Sequence, residues 1–239
     1  MTVLPRPVRV LTHPTPAAPA LLTTTEARLL LATAAGILLW MLLYARIQLP
    51  FLLWNLFLAG VPIGLQWVWA QTRGRPFPGR TVAQAGLLLA WLLFLPNAPY
   101  IVTDFVHVYR WVAGGRVAGA SLGALCIGGA ALLGLIWWVR SVRYFEEVVL
   151  DVPVLEEYRG AVRVVLCVLC AYGVWLGRLL RFNTWDVVAA PGALVREGLA
   201  FAAEPLVLEL TLVTALGLWG LCRVGRWWAP VGYCRLRCG

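Results

Sequence analysis

Two short segments carry most of the side chains in this sequence that could do chemistry. The first is Leu95-Pro96-Asn97-Ala98-Pro99-Tyr100-Ile101-Val102-Thr103-Asp104-Phe105-Val106-His107. If the chain is helical after Pro99, then Tyr100, Thr103, Asp104 and His107 recur at i, i+3, i+4 and i+7 and share one face. That face presents a phenol, a hydroxyl, a carboxylate and an imidazole, with the Asn97 amide one turn before it. The second segment is Gly177-Arg178-Leu179-Leu180-Arg181-Phe182-Asn183-Thr184-Trp185-Asp186. Its arginines stand three apart, which puts Arg178 and Arg181 on one helical face, followed by Asn183, Trp185 and Asp186. Glu209 adds a carboxylate inside an apolar run. An ionisable group there is costly in hydrocarbon and marks a candidate site.

These residue types allow several chemistries. Asp104 and His107 are the candidate catalytic pair, able to move a proton. Planar guanidinium groups suit phosphate or carboxylate, so Arg178 and Arg181 could grip an anionic ligand such as a phospholipid headgroup arriving from the bilayer. Asn97, Tyr100, Thr103, Asn183, Trp185, Asp186 and Glu209 complete the candidate ligand-binding set. Asp104, His107 and Asp186 are donor types that suit zinc or manganese. Two neighbouring arginines would repel a cation, so no metal ligand is assigned. The plainest alternative is a structural ion pair between Asp104 and Arg178 or Arg181. No haem ligation pattern, phosphate-binding glycine loop or serine nucleophile elbow is present, and the cofactor stays unknown.

The elements that position these groups follow from composition. Of 239 residues, 61% are hydrophobic and 13% are charged, and the mean hydropathy is +0.80. A soluble domain is about half apolar and about a quarter charged, so lipid is the natural solvent here. Apolar runs cover 29–45, 51–70, a stretch from Ala83 to Pro96, then 118–139, 164–177 and 205–222. The pattern predicts an all-α polytopic transmembrane bundle of about six spans, the third broken by prolines. Residues 1–27, rich in proline, read as a flexible cytoplasmic tail, 28–222 as the six-helix transmembrane domain, and 223–239 as a basic cytoplasmic tail. A helix from Ala83 to Leu95 is about 20 Å long against a hydrocarbon core of about 30 Å. The break therefore falls inside the membrane. Backbone of that kind is tolerated where protein buries it or where it lines a cavity, and broken helices build many transporter sites. A simple proline kink is the alternative.

All 20 basic residues are arginine, and the net charge is +9. The arginines lie between apolar runs and form no basic face, which excludes nucleic acid and leaves membrane lipids as partners. Six spans put fourteen arginines on the side of both termini and six on the other. By arginine bias the termini are cytoplasmic in a cell (inner) membrane, and the two motifs and Glu209 meet at the outer leaflet. Cys167 and Cys170 have metal-site spacing but sit in an apolar helix, where small packing residues are expected. Cys234 and Cys238 read as reduced thiols of the cytoplasmic tail. The glycines and alanines of the fourth span, from Gly119 to Gly134, make small-xxx-small steps suited to close helix packing. The stretch from Arg140 to Arg159 is expected to be a solvated, salt-bridged surface.

The two motifs, from Phe94 to His107 and from Gly177 to Asp186, resemble the signatures of a bacterial membrane family classified as domain of unknown function thirteen sixty-one. Asn55-Leu56-Phe57-Leu58-Ala59 before Pro62, and Arg143-Tyr144-Phe145-Glu146-Glu147, resemble it more loosely. The likeness spans roughly Leu29 to Cys222. Thr184 stands where the family commonly has serine, a change that keeps the hydroxyl. The resemblance implies a bacterial multi-pass membrane protein and brings no activity with it. The leading functional expectation is binding or movement of an anionic or amphiphilic small molecule or lipid. The alternatives are a membrane-embedded hydrolase or transferase using Asp104 and His107, and a non-catalytic assembly partner packed through the fourth span. Transport would require the deep polar residues Asn55, Gln66 and Glu209 to line one cavity.

Overall fold

In the computed structural model, which describes residues 20–44, 50–73, 76–150, 157–182 and 184–228, every element is helical. The N-terminal residues 1–19, Asn183, Cys234, Cys238 and the rest of 229–239 lie outside the described residues. Among the described residues, six helical stretches are long and apolar enough to cross a membrane. The spans are α1 (Thr24–Leu43), α2 (Pro50–Thr72), the composite third span, α6 (Val117–Tyr144), α7 (Arg159–Trp175) and α10 (Pro205–Trp228). The third is built from α3 (Arg80–Phe94), α4 (Asn97–Tyr100) and α5 (Phe105–Ala113). Short helices α8 (Asp186–Ala189) and α9 (Pro191–Ala202) connect the last two spans. The chain is an all-α polytopic bundle.

Helix α1 starts four residues inside the segment expected to be tail. The cause is a capping box: the Thr23 hydroxyl accepts from the Glu26 N–H at 3.3 Å, and the Glu26 carboxylate accepts from the Thr23 N–H at 2.7 Å. Each satisfies an end-group donor that the helix cannot.

The fourth span is the mast of the bundle, with 56% of its span buried against 22–33% for the other five. Its small residues permit this. A Cβ on Gly123 would lie 2.4 Å from the Trp111 ring, and one on Gly134 only 2.5 Å from the Ala98 carbonyl oxygen. The small-residue face is therefore occupied by the protein's own α1, α4 and α5, and is not an outward docking stripe. Because the Ala98 contact is with backbone, Gly134→Val forces the proline segment off α6. The expected loss is about 1–3 kcal/mol, the usual range for overpacking, read as a lower unfolding temperature in detergent. An unchanged temperature would show that the segment does not rest on α6.

Charge beyond that contact, toward the C-terminal end of α6, is buried rather than solvated. Glu26 (2% exposed) pairs with Arg140 (9%), whose second nitrogen donates to the Ala20 carbonyl at 2.6 Å. Arg163 grips buried Glu146 with two hydrogen bonds of 2.6 Å. The solvated surface expected from Arg140 onward is thus corrected, although the Arg143–Glu147 pair at i,i+4 is present at 3.2 Å. α6 continues past the apolar run through a π turn at Phe145–Val149, which carries these charges into the protein interior. Cys167 and Cys170 are buried on the inner face of α7, and Cys170 accepts a hydrogen bond from the Trp138 indole at 3.5 Å.

Candidate functional site

The third span changes winding where the prolines remove donors. With no N–H on Pro96 or Pro99, the Ala98 N–H reaches Leu95 O at 3.3 Å and the Tyr100 N–H reaches Pro96 O at 3.1 Å. The backbone stays right-handed helical through Leu95, Pro96 and Tyr100. It then tightens into a 3-10 turn at Ile101–Asp104. The interruption is a change of pitch and not an open loop.

That change of pitch divides the expected face. A 3-10 turn advances about 120° per residue, against about 100° in an α-helix. Tyr100 and Thr103 eclipse one another, and the Thr103 hydroxyl donates to the Tyr100 carbonyl at 2.7 Å. Asp104, 1% exposed, turns toward α2 and accepts from the Asn55 amide at 2.8 Å. His107 is half-buried between Phe51 and Trp111, with ring centroids 4.6 Å and 6.2 Å away. Among the described residues no hydrogen bond joins Asp104 to His107.

The fifth span delivers the arginine. Past Trp175, α7 widens into a π turn at Leu176–Leu180 and stops at Arg181, which adopts φ 61° and ψ 26°. A π turn inserts extra arc per turn and re-aims what it carries. Arg178 points inward: it lies 3.5 Å from the Asp104 carboxylate, donates to the Thr103 carbonyl, and donates to the Tyr100 hydroxyl at 3.3 Å. Its guanidinium also covers the Tyr100 ring at 5.5 Å. Arg181 is exposed. The shared arginine face is therefore not formed, because the widened turn and the left-handed residue separate the two.

The remaining expected residues are dispersed. Glu209 is exposed on the second turn of α10. Gln66 is buried toward the other end, where it exchanges hydrogen bonds with Ser141. Among the described residues, Asn55 lines the cavity below, and Gln66 and Glu209 do not. Asp186 opens α8 and is half-buried. Among the described residues no three His, Cys, Asp or Glu side chains come together to hold a metal ion.

Asn97, Tyr100, Thr184 and Trp185 do meet, around a cavity of about 330 Å³ between α2, the proline segment, α7 and the α7–α8 loop. Its walls include Leu58, Leu93, Leu169, Leu176, Phe182 and Leu194, and Asn55 joins the polar groups. The Asn97 amide donates to Phe94 O at 2.9 Å and to the Thr184 hydroxyl at 3.1 Å, tying the two motifs together. Trp54 and Trp185 flank the mouth about half exposed, with ring centroids 6.5 Å apart. Helix α9 closes one side, held by the Tyr172 hydroxyl donating to Gly198 O at 2.5 Å. Sequence reasoning missed α9, although Pro191 at its first turn is a helix-start signal. It also missed Asn55 as the partner of Asp104, since nothing local links residues 49 apart.

No curated protein and no solved structure matches the chain. The family described as protein of unknown function (DUF1361) matches residues 54–219. That range takes in Asn55, both motifs and every residue lining the cavity, with Trp54 at its first position. Six apolar helices and a match over more than half the chain lead to one statement: this multi-pass membrane protein belongs to the DUF1361 family.

Proposed function

We propose that the protein sits in the cell membrane with both termini in the cytoplasm, and holds one amphiphilic, lipid-like molecule in the cavity at the outer leaflet. The observation that carries this reading is the cavity itself: apolar walls, polar groups gathered at Asn55, Asn97, Tyr100 and Thr184, and two exposed tryptophans at its mouth. Ligand sites are commonly apolar concavities of about 300–1,000 Å³ with a few fixed polar groups. This one stands at the lower end, enough for a polar head and the first part of one chain. Tryptophan favours the membrane interface, where one edge is wet and the other apolar. The arginine bias supports the orientation. Holding is favoured over carrying across, because Gln66 and Glu209 do not join Asn55 in the lining of the described cavity. It is favoured over acid–base catalysis because Asp104 is committed to Asn55 and Arg178.

Native mass spectrometry of the purified protein tests the reading. The wild type is expected to carry lipid-sized adducts. Leu58→Trp, which fills the cavity from an apolar wall, is expected to lose them. Leu212→Trp, on the exposed face of α10, should keep them. Equal adducts on Leu58→Trp and wild type would sink the proposal.

A further inference from the structure

The hydrogen bonds around the cavity restrict what its polar end can recognise. Asn97 spends both amide hydrogens, one on Phe94 O and one on Thr184, so only its carbonyl oxygen remains. Asn55 commits one amide hydrogen to Asp104 and keeps the other, together with its carbonyl oxygen. Thr184 accepts from Asn97, and the Tyr100 hydroxyl accepts from Arg178. Each of these two hydroxyls keeps its own hydrogen to donate. All four residues are half-buried, within reach of an occupant. Behind them, the Arg178 charge is balanced by Asp104 at 3.5 Å, and Asp104 is 1% exposed. The described lining residues therefore offer carbonyl acceptors in mixture with hydroxyl donors and one amide hydrogen, and none of them carries a charge.

We infer that the occupant is a neutral lipid whose head is a free alcohol, of the acylglycerol class. This rests on the cavity reading above. An alcohol both donates and accepts, so one head hydroxyl can donate to the Asn97 or Asn55 carbonyl while accepting from Tyr100 or Thr184. A phosphate dianion has acceptor oxygens only: it could accept from the same hydroxyls, but would face two carbonyl lone pairs with its charge stripped of water and no cation among the described lining residues. A buried polar group left without a partner keeps its full desolvation penalty. An ammonium head would find no accessible carboxylate.

The test is competition by native mass spectrometry between dioleoylglycerol and dioleoyl phosphatidic acid, which share both chains and differ by the phosphate. The wild-type protein is expected to retain the alcohol in preference by about tenfold or more. Thr184→Val, which removes one hydroxyl donor while conserving shape, is expected to reduce that preference severalfold while adducts persist. The Asn97→Leu variant does the same from the acceptor side, its fold checked by its unfolding temperature. Equal retention of the two lipids, or preference for the phosphatidic acid, overturns the neutral head and leaves the cavity reading standing. If the wild type retains neither lipid, or Leu58→Trp retains both as well as wild type, the cavity reading itself fails and the inference with it.

Discussion

Arg178→Ala is expected to cost the bundle about 3–5 kcal/mol, the range for removing one partner of a buried ion pair. The cost arises from what stays behind. Asp104 remains 1% exposed with only the Asn55 amide against it, and the Thr103 carbonyl and Tyr100 hydroxyl lose their donor. Adding Asp104→Asn removes the stranded charge. The double variant should then be more stable than the sum of the two single losses implies. Unfolding in detergent, followed by circular dichroism, measures all three variants. A single-variant loss below about 1 kcal/mol, the scale of exposed pairs, would mean that water reaches Asp104. The structural ion pair raised by the sequence would then have to be abandoned.

Arg140→Leu is expected to have an effect of the same order, about 3–5 kcal/mol, at a second buried ion pair. Here the stranded group is Glu26, 2% exposed in the first turn of α1. Arg140 also holds the Ala20 carbonyl, so its loss releases the chain leading into α1. Combining it with Glu26→Gln should recover part of the loss, since glutamine keeps an acceptor for the Thr23 N–H without a charge. The Tyr100 cluster shares no hydrogen-bond partner with this pair, so lipid adducts should survive in whatever fraction stays folded. Loss of adducts from a fully folded Arg140→Leu protein would contradict the separation of the two polar clusters.

Much of the architecture was legible because hydropathy averages over whole spans. The six runs, their order and the proline interruption are all in the helices observed. The neighbourhood of Asp104 and Arg178 also followed, since counting spans puts both segments at the same end. What remained hidden depends on local winding. A face drawn for an ideal α-helix assumes about 100° per residue, and the 3-10 turn at Ile101–Asp104 breaks that assumption at the residues that matter. The π turn does the same to Arg178 and Arg181. Arg140 and Glu146 were read as solvated because an isolated charge lowers a hydropathy window whether or not it is paired inside. Their partners, Glu26 and Arg163, are 114 and 17 residues away.

The Glu26–Arg140 pair also sets a timetable for biogenesis. The two residues are separated by 114 positions, so at about 5–20 residues per second the carboxylate is synthesised about 6–23 s before its cation. During that interval α1 carries a charge that hydrocarbon rejects. Its position in the first helical turn lets it wait among the headgroups at the edge of the membrane. The early helices can insert in that period, but they cannot settle around α6 until it has been made. Closure of the bundle is therefore a late event, governed by the arrival of its fourth span.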